Sequence, residues 1–466
     1  MLGGHRIEGV MSERTARQHR GPRLRPAALI GLVAALASAT VSGVGGLPRT
    51  ALAEAPPPAP VIVVTPLPDL VTFYGRGLGH GVGLSQYGAR GRALAGQDTP
   101  TILAHYYQGT TLAQVDPATP VRVLVLSRWQ ATETNPLEIT GAVTPWTVDG
   151  VAATFPPDAH FRLAWSAVAS PVAWHLTVTA ADGGILSDGP APAAAELVIR
   201  PSSPDGRLRV ASKATRFSLY RGNLHLVLAP GSSRVSVVDE VGLDAYLGGV
   251  VPVEMPSTWP AAALQAQSIA ARSYVARRLH PATSFYDVPD SAASQIYRGV
   301  LAEKPATNAA IAATAGQVLM SGSSIIDALF DSTGGGATES NENVYTTATG
   351  RVVVRPVGYL RGSSDRAPDG TAYDASSPYA TWSTRTYART ELSAWFAGDS
   401  RTNVGDLVAL DLHDRGVSGR LISVTLVGTA GTKRVSGEVF RAVFNKARPT
   451  TDPSLRSTLL DLAPIP

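Results

Sequence analysis

A stretch free of glycine and proline, Ala261–Leu279, follows directly on Val250-Val251-Pro252-Val253-Glu254-Met255-Pro256-Ser257-Thr258-Trp259-Pro260, and this pairing constrains the chain more than any other part of it. Ala, Leu, Gln and Arg fill the stretch, and such residues lose little on entering a helix. Leu264, Ser268, Ala271, Val275 and Leu279 recur on one face, where small side chains allow close packing. Ser257 or Thr258 stands ready to cap this helix, with Pro260 in the first turn, where a missing N–H costs nothing. Gln267 and Tyr274 share an adjacent face that looks back toward the preceding loop. Glu254 is thereby a lone carboxyl in a stiff, apolar loop at a helix N-terminus. Burial favours its protonated form, and the helix dipole favours the charged one. On spacing alone it is either a plain acidic residue at a helix start or a proton donor.

With 466 residues, 44% of them hydrophobic, the chain has room for two or three domains with real cores. Arg14, Arg17, Arg20, Arg23 and Arg25 precede the apolar run Ala27–Ala39, and Ala51-Leu52-Ala53 is an A-x-A cleavage site, so residues 1–53 read as an export signal. No later segment has the length of a membrane span. The formal charge of +4 misleads, because residues 1–53 carry seven Arg and two Glu, which leaves the remainder at −1. A nucleic-acid partner therefore loses its main support. Cysteine is absent, which excludes disulfides and thiolate metal sites and suits a bacterial cell envelope.

Beyond the extended Pro/Ala linker, Phe73-Tyr74-Gly75-Arg76-Gly77-Leu78-Gly79-His80-Gly81-Val82-Gly83-Leu84-Ser85-Gln86-Tyr87-Gly88-Ala89 implies tight turns or close backbone approach. It lacks the βαβ context of a dinucleotide site, and Tyr87 breaks the nucleophile-elbow pattern. Short β-rich runs follow, clearest at Val121–Leu126, Leu197–Ile199 and Leu208–Val210. His160, Trp174 and His175 stand alone there and read as packed or surface aromatics. Tyr220–Leu228 and Val235–Val238 form a hairpin leading into the Glu254 segment. Further on, an expected strand Ile325–Phe330 runs into Asp331-Ser332-Thr333-Gly334-Gly335-Gly336-Ala337-Thr338-Glu339-Ser340, either an ordinary Ser/Gly turn or the polar floor of a pocket for sugar hydroxyls. The Pro-punctuated end after Arg448 reads as a loose tail.

Asp244-Ala245-Tyr246-Leu247, Gly249-Val250-Val251-Pro252-Val253-Glu254-Met255-Pro256 and Ala263-Leu264-Gln265-Ala266-Gln267-Ser268-Ile269-Ala270-Ala271-Arg272-Ser273-Tyr274, in that order, resemble the core signature of the SpoIID/LytB family. The Gly79-His80-Gly81 segment with Ser85-Gln86, Ile102–Thr110, Ser294-Gln295-Ile296-Tyr297-Arg298-Gly299 and the Asp331–Ser340 run resemble the same family. The resemblance covers roughly 70–110 and 217–445. In relatives the Gly-His-Gly motif closes the domain, whereas here it precedes Glu254, a rearranged order of the same parts. The family's lytic transglycosylases cut peptidoglycan glycan strands with the Glu of this Glu-Met pair as acid, and other members enhance peptidoglycan amidases. The resemblance thus implies Glu254 as catalytic residue and His80, Ser85, Gln86, Gln267, Arg272, Tyr274, Ser332, Thr333, Gly335 and Thr338 as substrate contacts, with His80 lying beside Glu254. Relatives that bind zinc do so just before the Gln-x-Tyr motif, where Pro289, Ala293 and Ser294 stand here, so no metal and no cofactor are expected.

Hydrolysis of a glycosidic bond normally takes two carboxylates, whereas transglycosylation takes one. Asp331 and Glu339 are the candidates for a second. The expected protein is α+β: signal over 1–53, linker over 54–69, Gly-His-Gly segment over 70–115 docking on the core, inserted β-rich domain over 116–215, SpoIID-like core over 216–448 and tail over 449–466. Its expected partners are glycan strands, or a cell-wall amidase in the alternative reading of a non-catalytic glycan-binding or amidase-enhancer protein. No nucleic acid and no membrane span after cleavage are expected, and the location is the bacterial envelope or its exterior.

Overall fold

The computed structural model describes residues 65–166 and 173–465, and the expected export signal and most of the expected linker lie outside the described residues. The helices used below are α1 (Gln86–Leu94), α2 (Thr99–Tyr106), α3 (Leu243–Gly248), α4 (Val251–Glu254), α5 (Ala261–Ala276), α6 (Pro305–Ala313), α7 (Asn341–Val344), α8 (Arg389–Ala397) and α9 (Gly437–Ala447). Together with several sheets they make a mixed α+β protein, as the sequence indicates.

Alternation of apolar and polar residues builds the largest sheet. Its strands run Val288–Pro289, Pro120–Gln130, Arg234–Gly242, Asn223–Leu228, Glu196–Pro201, Trp146–Val148 and Thr154–Phe155, antiparallel except for the first, short one. Val121, Val123 and Val125 turn inward, as do Leu224, Leu226 and Leu228. They share one core with Ile139, Phe161, Leu163 and Val178 of a second sheet. This corrects the boundary expected at residue 215. The hairpin 223–242 is inserted between strands 120–130 and 196–201, so the β-rich region and the following core are one packed body. Each hairpin edge needs a hydrogen-bonding partner, and the earlier strands supply both.

Helix α5 forms where expected, but Pro260 occupies the N-cap position with no side-chain cap, and neither Ser257 nor Thr258 takes that role. Those residues belong instead to a turn closed by Trp259 N–H donating to the Pro256 carbonyl at 3.0 Å. Ala263, Ala266, Ile269 and Ala270 pack against Val82, Leu84, Ile102, Leu103 and Tyr106, so α1 and α2 lie directly on α5. Full burial of a side chain the size of Ile269 contributes about 1.5–3 kcal/mol, and small residues on the facing turns bring the backbones close enough to achieve it. The expected strand Ile325–Phe330 is two pieces. Ser324–Ile325 closes a hairpin on Gln317–Ser321, while Phe330–Asp331 pairs in parallel with Leu84–Ser85.

A third layer joins Thr65–Pro66, Leu407–Asp411, Ser423–Gly428 and Gly431–Ser436 to α8 and α9, around Phe73, Tyr387, Phe396, Phe440 and Phe444. Residues 65–66 of the expected linker are thus a strand. The expected loose tail is packed too: Leu460–Asp461 pairs with Tyr74–Gly75, and Leu455, Leu459 and Leu460 are buried. Three apolar side chains outweigh the local disorder that the prolines announce. Among the described residues no helix is long and apolar enough to cross a membrane.

Candidate functional site

The glycine-rich segment lies flat on the 329–337 backbone, and two of its glycines show why. At Gly83 (φ +76°) a Cβ would stand 2.1 Å from the Leu329 carbonyl, and at Gly81 (φ +79°) it would strike the buried Arg420 guanidinium. Arg420 donates to the carbonyls of Gly334 and Ala337 at 2.8 and 3.3 Å, which fixes the second loop beneath the first. Seated this way, the segment ends at Ser85, whose hydroxyl caps α1 by accepting from Gly88 N–H at 3.1 Å and also accepts from Gly334 N–H at 3.0 Å. The next residue, Gln86, is delivered to Glu254.

Glu254 closes the single turn α4 rather than opening α5. Gln86 donates its amide to Glu254 Oε2, and the Ile296 backbone N–H donates to Oε1, each at 3.4 Å. Burial raises the carboxyl pKa above its ordinary value, and the two hydrogen bonds oppose that only in part. The competition left open by the sequence is therefore won by desolvation.

The two carboxylates offered as partners are engaged elsewhere. Glu339, buried, accepts from Ser340, Val417 and Ser418 N–H, from the Asn343 amide and from the Ser418 hydroxyl, at 2.6–3.1 Å. It clamps the 416–418 turn. Asp331 accepts from Gly81 N–H, and burial raises its pKa, with His80 and Arg420 opposing. His80 Nδ1 accepts from Val82 N–H at 2.9 Å, which puts the ring proton on Nε2, and the ring borders Asp331 at 3.7 Å and Tyr345 at 6.5 Å between centroids. Gln86, then, and not His80, is the residue of this loop that holds Glu254.

The remaining expected contacts separate by burial. Arg272 is wholly buried, donating to Asp244 at 2.7 Å and to the carbonyls of Gln317 and Ile311, so it ties α5 to α3 and α6. Thr333 bonds Ser377 at 2.8 Å, Thr338 receives Ser363 N–H at 3.0 Å, and Gly335 N–H donates to buried Asp374 at 2.5 Å. These residues and Ser85 hold loops to one another. Gln267 is wholly buried, and among the described residues neither of its amide atoms has a hydrogen-bond partner. Tyr274, half-buried, lies under the Arg278 guanidinium at 3.5 Å and edge-on to Phe330. Ser332 is half-buried, 3.2 Å from the Thr333 hydroxyl. Among the described residues no three His, Asp or Glu side chains gather to hold a metal ion.

Sequence reasoning missed the Ile296 N–H, a backbone donor that no side chain reveals. Its signal was the preceding Gln295, which accepts from Tyr246 at 3.1 Å and donates to the Ala271 carbonyl at 3.3 Å, holding that loop against α3 and α5. Arg420 was missed as well, because its loop is remote in sequence and carries no motif.

Residues 231–320, which include Glu254 and α5, match the family described as SpoIID, Stage II sporulation protein. The chain is 28% identical over 183 residues to the amidase enhancer of Bacillus subtilis (strain 168), covering 37% of this chain and 25% of that protein. It is 32% identical over 131 residues to an uncharacterized protein of Brachyspira hyodysenteriae, 28% of this chain and 35% of the relative. It is 48% identical over 48 residues to the stage II sporulation protein D of Bacillus subtilis, 10% of this chain and 14% of the relative. The chain thus spans about a quarter of the first relative's length and little more than a third of any of the three.

Proposed function

We propose, taking as premise that this chain belongs to the SpoIID/LytB family, that it acts on peptidoglycan outside the cytoplasmic membrane as a lytic transglycosylase with Glu254 as its acid and base. One observation carries this reading: the half-buried Glu254 carboxyl has its pKa raised by burial and each oxygen held by one neutral donor. A group that keeps its proton where a surface Glu has lost it meets the need of a general acid. Glu339 and Asp331, engaged in loop contacts, leave Glu254 to act alone, which is what transglycosylation requires.

In the proposed step Glu254 gives its proton to the glycosidic oxygen as the bond from that oxygen to the anomeric carbon breaks. The carboxylate so formed takes the proton of the muramic acid's own hydroxymethyl group, whose oxygen bonds to the anomeric carbon. No water is consumed, an anhydromuramoyl end is formed, and Glu254 is protonated again. Gln86 orients the carboxyl, and the partly exposed His80, Tyr274 and Ser332 are the proposed substrate contacts.

A second reading, a glycan-binding protein that enhances an amidase, is favoured by the longest match above, to a relative carrying that name. The inward-turned hydroxyls of Thr333 and Thr338 also fit a protein without turnover. Mass spectrometry of purified glycan strands incubated with the protein separates the readings. Anhydro ends support the first, unchanged strands the second, and reducing ends overturn both in favour of hydrolysis.

A further inference from the structure

Close in sequence to Gln86 and to Glu254 stands a group of side chains that the reaction itself does not use. Tyr87 follows Gln86 directly, so its Cα lies about 3.8 Å from that of the residue holding the acid. Trp259 stands five residues after Glu254, in the turn between α4 and α5. The two rings meet edge to face with centroids 4.7 Å apart, and the Arg90 guanidinium lies 5.7 Å from the indole. Arg90 is itself fixed, donating to the Ser376 hydroxyl at 2.6 Å. Trp259 rests partly on the core that α1, α2 and α5 share, while all three side chains remain partly exposed.

We propose that Tyr87, Trp259 and Arg90 form a saccharide platform at the mouth of the Glu254 site, taking one pyranose ring of a β-1,4-linked N-acetylhexosamine strand; this rests on the glycan-acting reading above. A pyranose presents an apolar C–H face and a polar rim. A rigid aromatic edge pair offers the first a flat apolar surface at low entropic cost, and aromatic rings with one polar end suit such mixed ligands. The Tyr87 hydroxyl, protonated at neutral pH as any phenol is, and the Arg90 guanidinium offer donors to hydroxyl, acetamide or carboxyl oxygens on the rim. The pieces are held before any ligand arrives: Ser376 fixes Arg90, the α1 backbone sets Tyr87, and the Pro256–Pro260 turn sets Trp259. Such preorganisation is what limits the entropic cost of binding.

The test is calorimetric titration of the full chain carrying Glu254→Gln with a β-1,4-linked N-acetylglucosamine hexasaccharide. Adding Trp259→Ala is expected to weaken binding roughly tenfold or more, in keeping with one lost aromatic contact, while Trp259→Phe keeps most of the affinity. Unchanged affinity in a Trp259→Ala chain with parental circular dichroism overturns the platform and leaves the glycan reading standing. Absence of binding with both rings intact overturns the glycan reading, and the platform with it. Should Trp259→Ala fail to fold, Tyr87→Leu and Arg90→Met measured the same way decide the question, a loss of affinity upholding the platform and parental affinity in both overturning it.

Discussion

The Gln86 side-chain amide donates to the Glu254 carboxylate across 168 residues of chain. Gln86 begins α1 and Glu254 ends α4, and the two helices meet because both pack near α5. The candidate acid is therefore assembled from two distant segments, and each can be disturbed without touching the other.

Glu254→Gln keeps the shape and the donors while removing the proton. Under the transglycosylase reading, the release of anhydro products falls by about 10²–10⁴-fold. A Gln variant that cuts at the parental rate with unaltered folding would falsify the assignment.

The same variant makes a statement about stability. The folded carboxyl pKa is raised, so its favourable contribution is full below the unfolded carboxyl range and is lost as pH rises through the folded value. Urea midpoints of the parent are expected to decline relative to Glu254→Gln as pH climbs out of the carboxyl range and to converge with it in acid. Parallel curves at all pH values would contradict a desolvated Glu254.

Gln86→Leu removes a donor that lowers the Glu254 pKa, so the pKa rises further. Because the acid must be protonated, the high-pH limb of the kcat profile is expected to move to higher pH. One neutral hydrogen bond is worth about 0.5–1.5 kcal/mol, so the rate at the optimum falls by no more than roughly tenfold. A limb that stays in place would show that Gln86 does not feel the titrating group.

Arg272→Met tests a structural role against a ligand-binding one. The guanidinium is wholly buried and bonded to Asp244 and two carbonyls, and breaking such a buried pair costs about 3–5 kcal/mol. Chemical denaturation is expected to show that loss. A variant of parental stability with only KM raised would return Arg272 to the substrate.

Leu460→Ala removes a wholly buried side chain from the C-terminal strand and is expected to cost about 2–5 kcal/mol. A change below 0.5 kcal/mol, about what a surface substitution gives, would make the tail dispensable.

What the sequence made legible was mostly local. Helix α5 could be read because its propensity and spacing agree over several turns, and Glu254 because it was the one carboxyl in an apolar, proline-bracketed loop. The β-rich region was recognised strand by strand, but which strands share a sheet is a long-range property. The interleaving of hairpin 223–242 with strands 120–130 and 196–201 carries no local mark. Partners of polar side chains were not legible either: Arg272, Thr333 and Thr338 look like ligand contacts in a string of letters, and in the fold they bond to carbonyls, carboxylates and hydroxyls of the chain itself. In the tail, prolines advertised looseness more strongly than Leu455, Leu459 and Leu460 advertised burial.

The Tyr74–Gly75 strand takes its two partners from Trp382–Ser383 and Leu460–Asp461. During synthesis, about 300 residues follow Gly75 before the first of these partners exists, so this strand must wait, unpaired, for residues hundreds of positions away. Closure of such distant pairings is slow, and exposed strand edges invite misassembly in the interval. The strand that leads into the Gln86 segment is thus closed later than the Leu84–Ser85 pairing with Phe330–Asp331 that seats Gln86 itself.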